Sequence, residues 1–167
     1  MRVLGTVGVR KSQGTLRMTT IDKKDLRNKL LSLEAVSAEQ ARKLYEDFLS
    51  TARLNRAEQM DEGDRLQAEH AAAVAGNLEE QIHAHLSHRE ILESLPLHPM
   101  NSVDRGAIVT VNGRNLFLAV PTQPFTFQGM EILGISCEAP LAKAMLGSGP
   151  GDSINFEETE LVIEAVQ

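Results

Sequence analysis

Four carboxylates, Glu58, Asp61, Glu62 and Asp64, crowd around one glycine in residues 58–64, between two long segments of helical pattern. The stretch reads as the turn of an antiparallel helical hairpin, which would hold an acidic tip away from the rest of the chain. A merely solvated turn is the plain alternative for such a charge run. Other residues with chemical potential lead less far. The lone Cys137 lies in the apolar run 132–137, where a thiol is a small buried filler rather than a nucleophile. His83, His85 and His88 suggest a metal, but on a helix 83 and 88 lie well apart in angle and only 85 and 88 share an edge. With no Cys or Asp nearby to complete a site, the three read as a solvated helix face. The glycine-rich stretch 147–152 has no following Lys-Ser/Thr and precedes a strand, so a tight helix-to-strand turn explains it better than a phosphate loop.

The elements that would carry the acidic tip are helical. Residues 22–36 are rich in Lys, Leu and Glu, with Leu26, Leu30 and Leu33 at helical spacing. Val36-Ser37-Ala38-Glu39-Gln40-Ala41 fits a capping box with a hydrophobic staple, so either a new helix starts at Ser37 or one long helix kinks there. Ala41, Leu44, Phe48, Ala52 and Asn55 then form one face that fades in apolarity towards the tip. The return arm runs from Arg65 to about Ser94, with a buried stripe expected at Val74, Leu78, Ile82 and Leu86. Folding the chain about residue 62 sets Phe48 against the small residues 71–76, as close helix pairing requires. A third apolar helix that would make this an ordinary bundle is missing, which favours an isolated arm.

Beyond a Pro-containing linker, the pattern changes to strands. Residues 107–112 and 115–120 alternate around Asn112-Gly113, a hairpin signal. Further strands are expected at 125–127 and 130–136, turning at Gln128-Gly129. A short helix follows at 140–146 with proline in its first turn, and strands at 154–156 and 161–166 close the sheet. The chain therefore divides into a basic, disordered tail (1–21), a hairpin with an acidic tip (22–95), a linker (96–101) and a small α+β domain (102–167). The first 17 residues hold Arg2, Arg10, Lys11 and Arg17 and no acid, but lack the amphipathic stripe of a transit peptide. Met18 stands just before the first helix, so they could also be an artefact of start-site choice.

Composition narrows the function classes. With 42% hydrophobic but only 4% aromatic residues, the 167-residue chain suits a helical arm joined to a small sheet better than one large aromatic core. A net charge of −6 argues against direct grip on a phosphate backbone, so a nucleic-acid role would run through a protein partner. A single cysteine rules out an internal disulfide and any multi-cysteine zinc site. No apolar run approaches the roughly 18 residues that span a bilayer. A soluble, cytoplasmic monomer is expected.

Residues 135–152, Ile135-Ser-Cys-Glu-Ala-Pro-Leu-Ala-Lys-Ala-Met-Leu-Gly-Ser-Gly-Pro-Gly-Asp152, resemble the carboxy-terminal signature of the bacterial Gre transcript-cleavage factors. The order of parts is also similar: helical hairpin, linker, then an FKBP-like antiparallel sheet with one helix. The resemblance implies an accessory factor with no catalytic residue of its own. Its carboxy-terminal domain would dock on RNA polymerase, here through Ala139, Pro140 and Leu141, and its hairpin would enter the secondary channel. Tip acids, by resemblance Asp61 and Asp64 with Glu62 as a further candidate, would share Mg²⁺ with the polymerase active site and promote cleavage of backtracked RNA. Mg²⁺ suits that role, since it takes one or two carboxylates and completes its shell elsewhere. No cofactor is expected to bind stably to the chain alone.

The chain departs from the family pattern at two places. The tip is one residue shorter, and an alignment on Gly63-Asp64 sets Gln67 at the second acidic position. Counting from the return-arm stripe instead gives Asp61 and Asp64, which keeps a carboxylate pair and is preferred. Ala139 also stands where the family has Ser. A Gre-like modulator that does not cleave, and a coiled-coil adaptor, are the alternatives. A prolyl isomerase fits less well, because residues 102–167 offer only Phe117, Phe125, Phe127 and Phe156 for an aromatic pocket.

Overall fold

The computed structural model describes residues 20–55 and 62–167; the side chains of 51–55, 62, 64, 65 and 68 lie outside that description. Helix α1 (Lys23–Asn55) and helix α2 (Glu62–Glu93) precede strands β1 (Ile108–Val111), β2 (Arg114–Ala119), β3 (Phe125–Phe127) and β4 (Met130–Ser136), then α3 (Pro140–Met145), β5 (Ser153–Phe156) and β6 (Thr159–Val166). The fold is α+β: a helical pair followed by a six-stranded sheet with one small helix. Residues 1–19, and with them most of the expected tail, lie outside the described residues.

Helix α1 starts where Asp22 caps it. The Asp22 carboxylate accepts from the backbone N–H groups of Lys24 and Asp25 at 2.9 and 3.1 Å, satisfying two donors that the first turn leaves free. The helix then runs unbroken through Ser37, so no second helix begins at the capping-box sequence. Its favourable spacing and charged outer face outweigh the local signal. Glu34 meets His88, and Tyr45 meets Glu79, across the pair. The pairing is therefore antiparallel and centred near positions 61 and 62.

The buried stripes differ from the expected ones by single residues. On α1, Leu26, Leu30, Glu34 and Ala41 point inward, while Leu33 is partly exposed and Leu44 is 58% exposed. On α2, Leu78 is buried, Leu86 is 46% exposed, and His85 and His88 turn inward in its stead. Inward positions 71, 75, 78, 82 and 85 follow the 3.5-residue repeat of paired helices, which drifts away from Leu86. The partner helix sets that repeat, and the nearest leucine does not.

The sheet has strand order β3-β4-β2-β1-β6-β5. Every neighbouring pair is antiparallel except β2 with β4, which run parallel. The sheet is thus mostly antiparallel, as expected, and the one parallel pair arises because β3 folds back on the outer edge of β4 and returns β4 in the direction of β2. Asn112-Gly113 and Gln128-Gly129 make the expected turns with positive φ at both residues, as two-residue hairpins need. Gly134 in β4 serves a close approach instead, since a Cβ there would meet the Val120 carbonyl oxygen at 2.4 Å. Only glycine lets the segment after β2 close over β4, where Thr122 donates from its N–H to the Gly134 carbonyl at 3.0 Å.

Two cores flank the sheet. Phe117 and Ala119 of β2, with Ile108 and Ile132, pack against Ile21, Leu26, Leu30, Leu92 and Leu95 at the base of the hairpin. Leu116 and Leu118 point the other way, to Val109, Val111, Ile163, Ala142 and Met145. Ile21, which the sequence reading places in the tail, is 4% exposed and donates its N–H to Gln167 Oε1 at 2.9 Å. The arm is thus anchored on the sheet at its base. Polar contacts reinforce the junction: the Arg105 guanidinium donates to Ser94 Oγ at 2.6 Å beside the α2 terminus, which has no basic residue in its own last turn. Lys23 Nζ donates to the His98 carbonyl at 3.1 Å.

Leu30→Ala should destabilise the chain by about 2–5 kcal/mol, and helix and sheet should melt in one transition by circular dichroism. Two separate transitions would show that the hairpin and sheet do not share a core. The junction also has a pH signature. Burial pulls the Lys23 pKa from its usual 10.5 down to about 8. Below about 8 the ammonium is protonated in both folded and unfolded chains. Between about 8 and 10.5 the unfolded chain keeps a proton that the folded chain releases, so stability rises with pH across that window. The Tm of the parent should therefore climb relative to Lys23→Met from pH 7.5 to pH 10; a flat difference would refute the buried ammonium.

Candidate functional site

Two regions of the sequence point to function, and they stand at opposite parts of the chain. Helix α2 begins at Glu62, so Glu62 and Asp64 belong by backbone to its first turn. Acids in a first turn are favoured by the helix dipole whatever else they do. Asp61 lies outside the described residues, as do the side chains of Glu62 and Asp64. Gly63, Gln67 and Glu69, whose exposure is described, are all exposed. Carboxylates alone form an oxygen donor set suited to Mg²⁺, and too small a set to cage it without further ligands.

The second region is the start of α3. Ala139 occupies the cap position with extended backbone, φ −61° and ψ 142°, and no side chain caps the helix. Pro140, at the first helical position, needs no N–H partner and is exposed. Ala139 and Leu141 are half-buried against the second core, so their packing role is evident and Pro140 is the accessible member of the three. Glu138 and Lys143 pair across this turn at 2.7 Å, which holds the Glu138 carboxyl below its usual range. Cys137 is half-buried, and burial pushes its thiol up, as suits a filler rather than a nucleophile. The glycine-rich turn is structural too: Asp152 Oδ2 accepts from Gly149 N–H at 2.7 Å, and Gly147 N–H donates to the Val103 carbonyl at 2.8 Å.

A third constellation escaped the sequence reading. Glu34 of α1 is 7% exposed and stands between two imidazoles of α2. His85 Nδ1 lies 2.6 Å from Glu34 Oε2 and His88 Nδ1 lies 3.3 Å from Glu34 Oε1. The two rings are perpendicular, with centroids 6.1 Å apart, so their Nδ1 edges converge on one carboxylate. The edge shared by 85 and 88 was legible from the sequence. The completing acid lies 51 residues away from His85 along the chain, and only helix pairing reveals it.

No protein-family profile matches the sequence, and no curated protein matches it. Several solved structures are similar in part, three of which follow. GreA factor homolog 1 (Gfh1) of Thermus thermophilus aligns over 86% of this chain and 93% of its own, at 15% identity and a TM-score of 0.31. Gfh1 of Thermus aquaticus aligns over 87% and 94%, at 18% identity and a TM-score of 0.28. A further structure, described as the transcription factor Gfh1, aligns over 88% and 94%, at 19% identity and a TM-score of 0.27.

Proposed function

We propose that this chain is a Gre-like transcription elongation factor, an accessory protein that binds RNA polymerase and carries a carboxylate tip to its active site. The observation that carries the reading is the antiparallel pair α1/α2. Its base is fixed in the sheet core, and its return helix begins with Glu62 and Asp64. From Ser37 to the end of α1, 19 residues rise about 28 Å at 1.5 Å per residue. That length carries a tip well away from the sheet. The signature-like residues 135–152 wrap the start of α3 and the following turn, with Pro140 exposed for docking. Mg²⁺ held jointly with the partner would activate water and stabilise a leaving oxygen. This chain's part is to bring Asp61 and Asp64 within reach, as charge and oxygen ligands.

The test is cleavage of RNA in stalled, backtracked polymerase complexes with and without the protein. Asp61→Asn with Asp64→Asn keeps size and hydrogen bonding but removes the charge that attracts a cation. The double variant should compete with the parent for polymerase while losing cleavage by roughly 10²-fold or more. If the parent slows elongation and stimulates no cleavage, the non-cleaving modulator is the correct reading; if it does not bind polymerase, the proposal fails.

Docking has its own variant. Pro140→Asp puts an acid where a first helical turn tolerates it well, so the fold should survive. Polymerase affinity should drop by about tenfold or more, a loss of about 1.4 kcal/mol. Unchanged affinity would mean that the docking surface lies elsewhere.

A further inference from the structure

We infer that Glu34, His85 and His88 form a binding site for a divalent transition-metal ion, with Zn²⁺ the best fit, at the base of the hairpin. Their donor atoms all lie within 4.8 Å of one another, and the shortest separation is 2.6 Å. Tetrahedral Zn²⁺ with bonds of about 2.0–2.1 Å sets its ligand atoms roughly 3.3 Å apart. The observed separations bracket that value, so shifts of about an ångström would seat an ion.

The donor chemistry selects the metal. Two imidazole nitrogens and one carboxylate oxygen suit a borderline ion such as Zn²⁺, whereas Mg²⁺ and Ca²⁺ prefer oxygen alone. Burial supplies the second argument. Among the described residues Glu34 is the one buried acid, and no Lys or Arg pairs with it. The two imidazoles give the buried carboxylate polar contacts as it stands; a metal ion held by all three would replace those contacts with coordinate bonds and supply a compensating positive charge.

The site also has an open side. A cavity of about 490 Å³ reaches Glu34 and His85 and is bounded by Leu30, Ser37 and the β2–β3 loop at Thr122 and Gln123. Three protein ligands and one face towards solvent leave a fourth coordination position for water. Because the ligands come from both helices, the ion would clasp α1 to α2 where the arm leaves the sheet. This site is remote from the acidic tip along both helices and does not depend on the function proposed above.

The test uses the untagged full chain, stripped with chelator and titrated with ZnCl2 by calorimetry. One ion per chain should bind with a Kd of about 10 µM or tighter. Zn²⁺ at 100-fold over Kd should raise the Tm by roughly 5 °C or more. Co²⁺ in its place should show the visible absorption of a tetrahedral N/O site. His85→Ala and His88→Ala should each weaken binding at least tenfold and abolish the Co²⁺ band, while His83→Ala, on the exposed side of the same helix, should bind as the parent does. If a ring variant fails to fold, the near-isosteric Glu34→Gln carries the same expectation. Stoichiometric binding weaker than about 100 µM, binding that survives loss of either ring, or an equal loss in His83→Ala would overturn the assignment.

Discussion

Strand β2 is buried on both faces, and the rest of the molecule is arranged to make that so. Phe117 and Ala119 require one cover and Leu116 and Leu118 another. Helix α3, through Ala142 and Met145, contributes to the second, and the base of the hairpin supplies the first. Each buried aliphatic side chain contributes about 1.5–3 kcal/mol relative to exposure, so a sheet stripped of the hairpin base would expose Phe117, Ile108 and Ile132 together. The arm and the sheet consequently share one core at their junction.

Away from the junction the energetics change. Among the described residues beyond the junction, the two helices bury Ala41 and Leu78 against each other and half-bury Tyr45 and Phe48. Ion pairs there, such as Arg42 with Glu39, are exposed and worth little individually. Among the described residues, burial is therefore lighter here than at the base of the arm.

The junction also concentrates the molecule's buried charge. Lys23 and Glu34 are the buried charged residues among those described, and both sit where the hairpin meets the sheet or loops that flank it. Lys23 is served by the His98 carbonyl and Glu34 by two imidazoles. Buried polar groups of this kind cost desolvation and fix register more than they add stability. Here they pin α1 against the linker at one point and against α2 at another.

The amino-acid sequence by itself determined the element order, the α+β class and nearly every strand, because alternation, Asn112-Gly113 and Gln128-Gly129 are local signals with local causes. It also marked the acids near the hairpin centre and the proline that opens α3. Tertiary structure alone decided which neighbour of each leucine turns inward. Successive helical residues differ by about 100°, so whether Leu33 or Glu34, and Leu86 or His85, faces inward depends on how each helix is rotated about its axis, which only the partner helix dictates. The same holds for the parallel β2–β4 pairing, which depends on how β3 folds across the edge. It holds above all for Glu34, His85 and His88, whose donor atoms meet only because two helices remote in sequence are packed side by side.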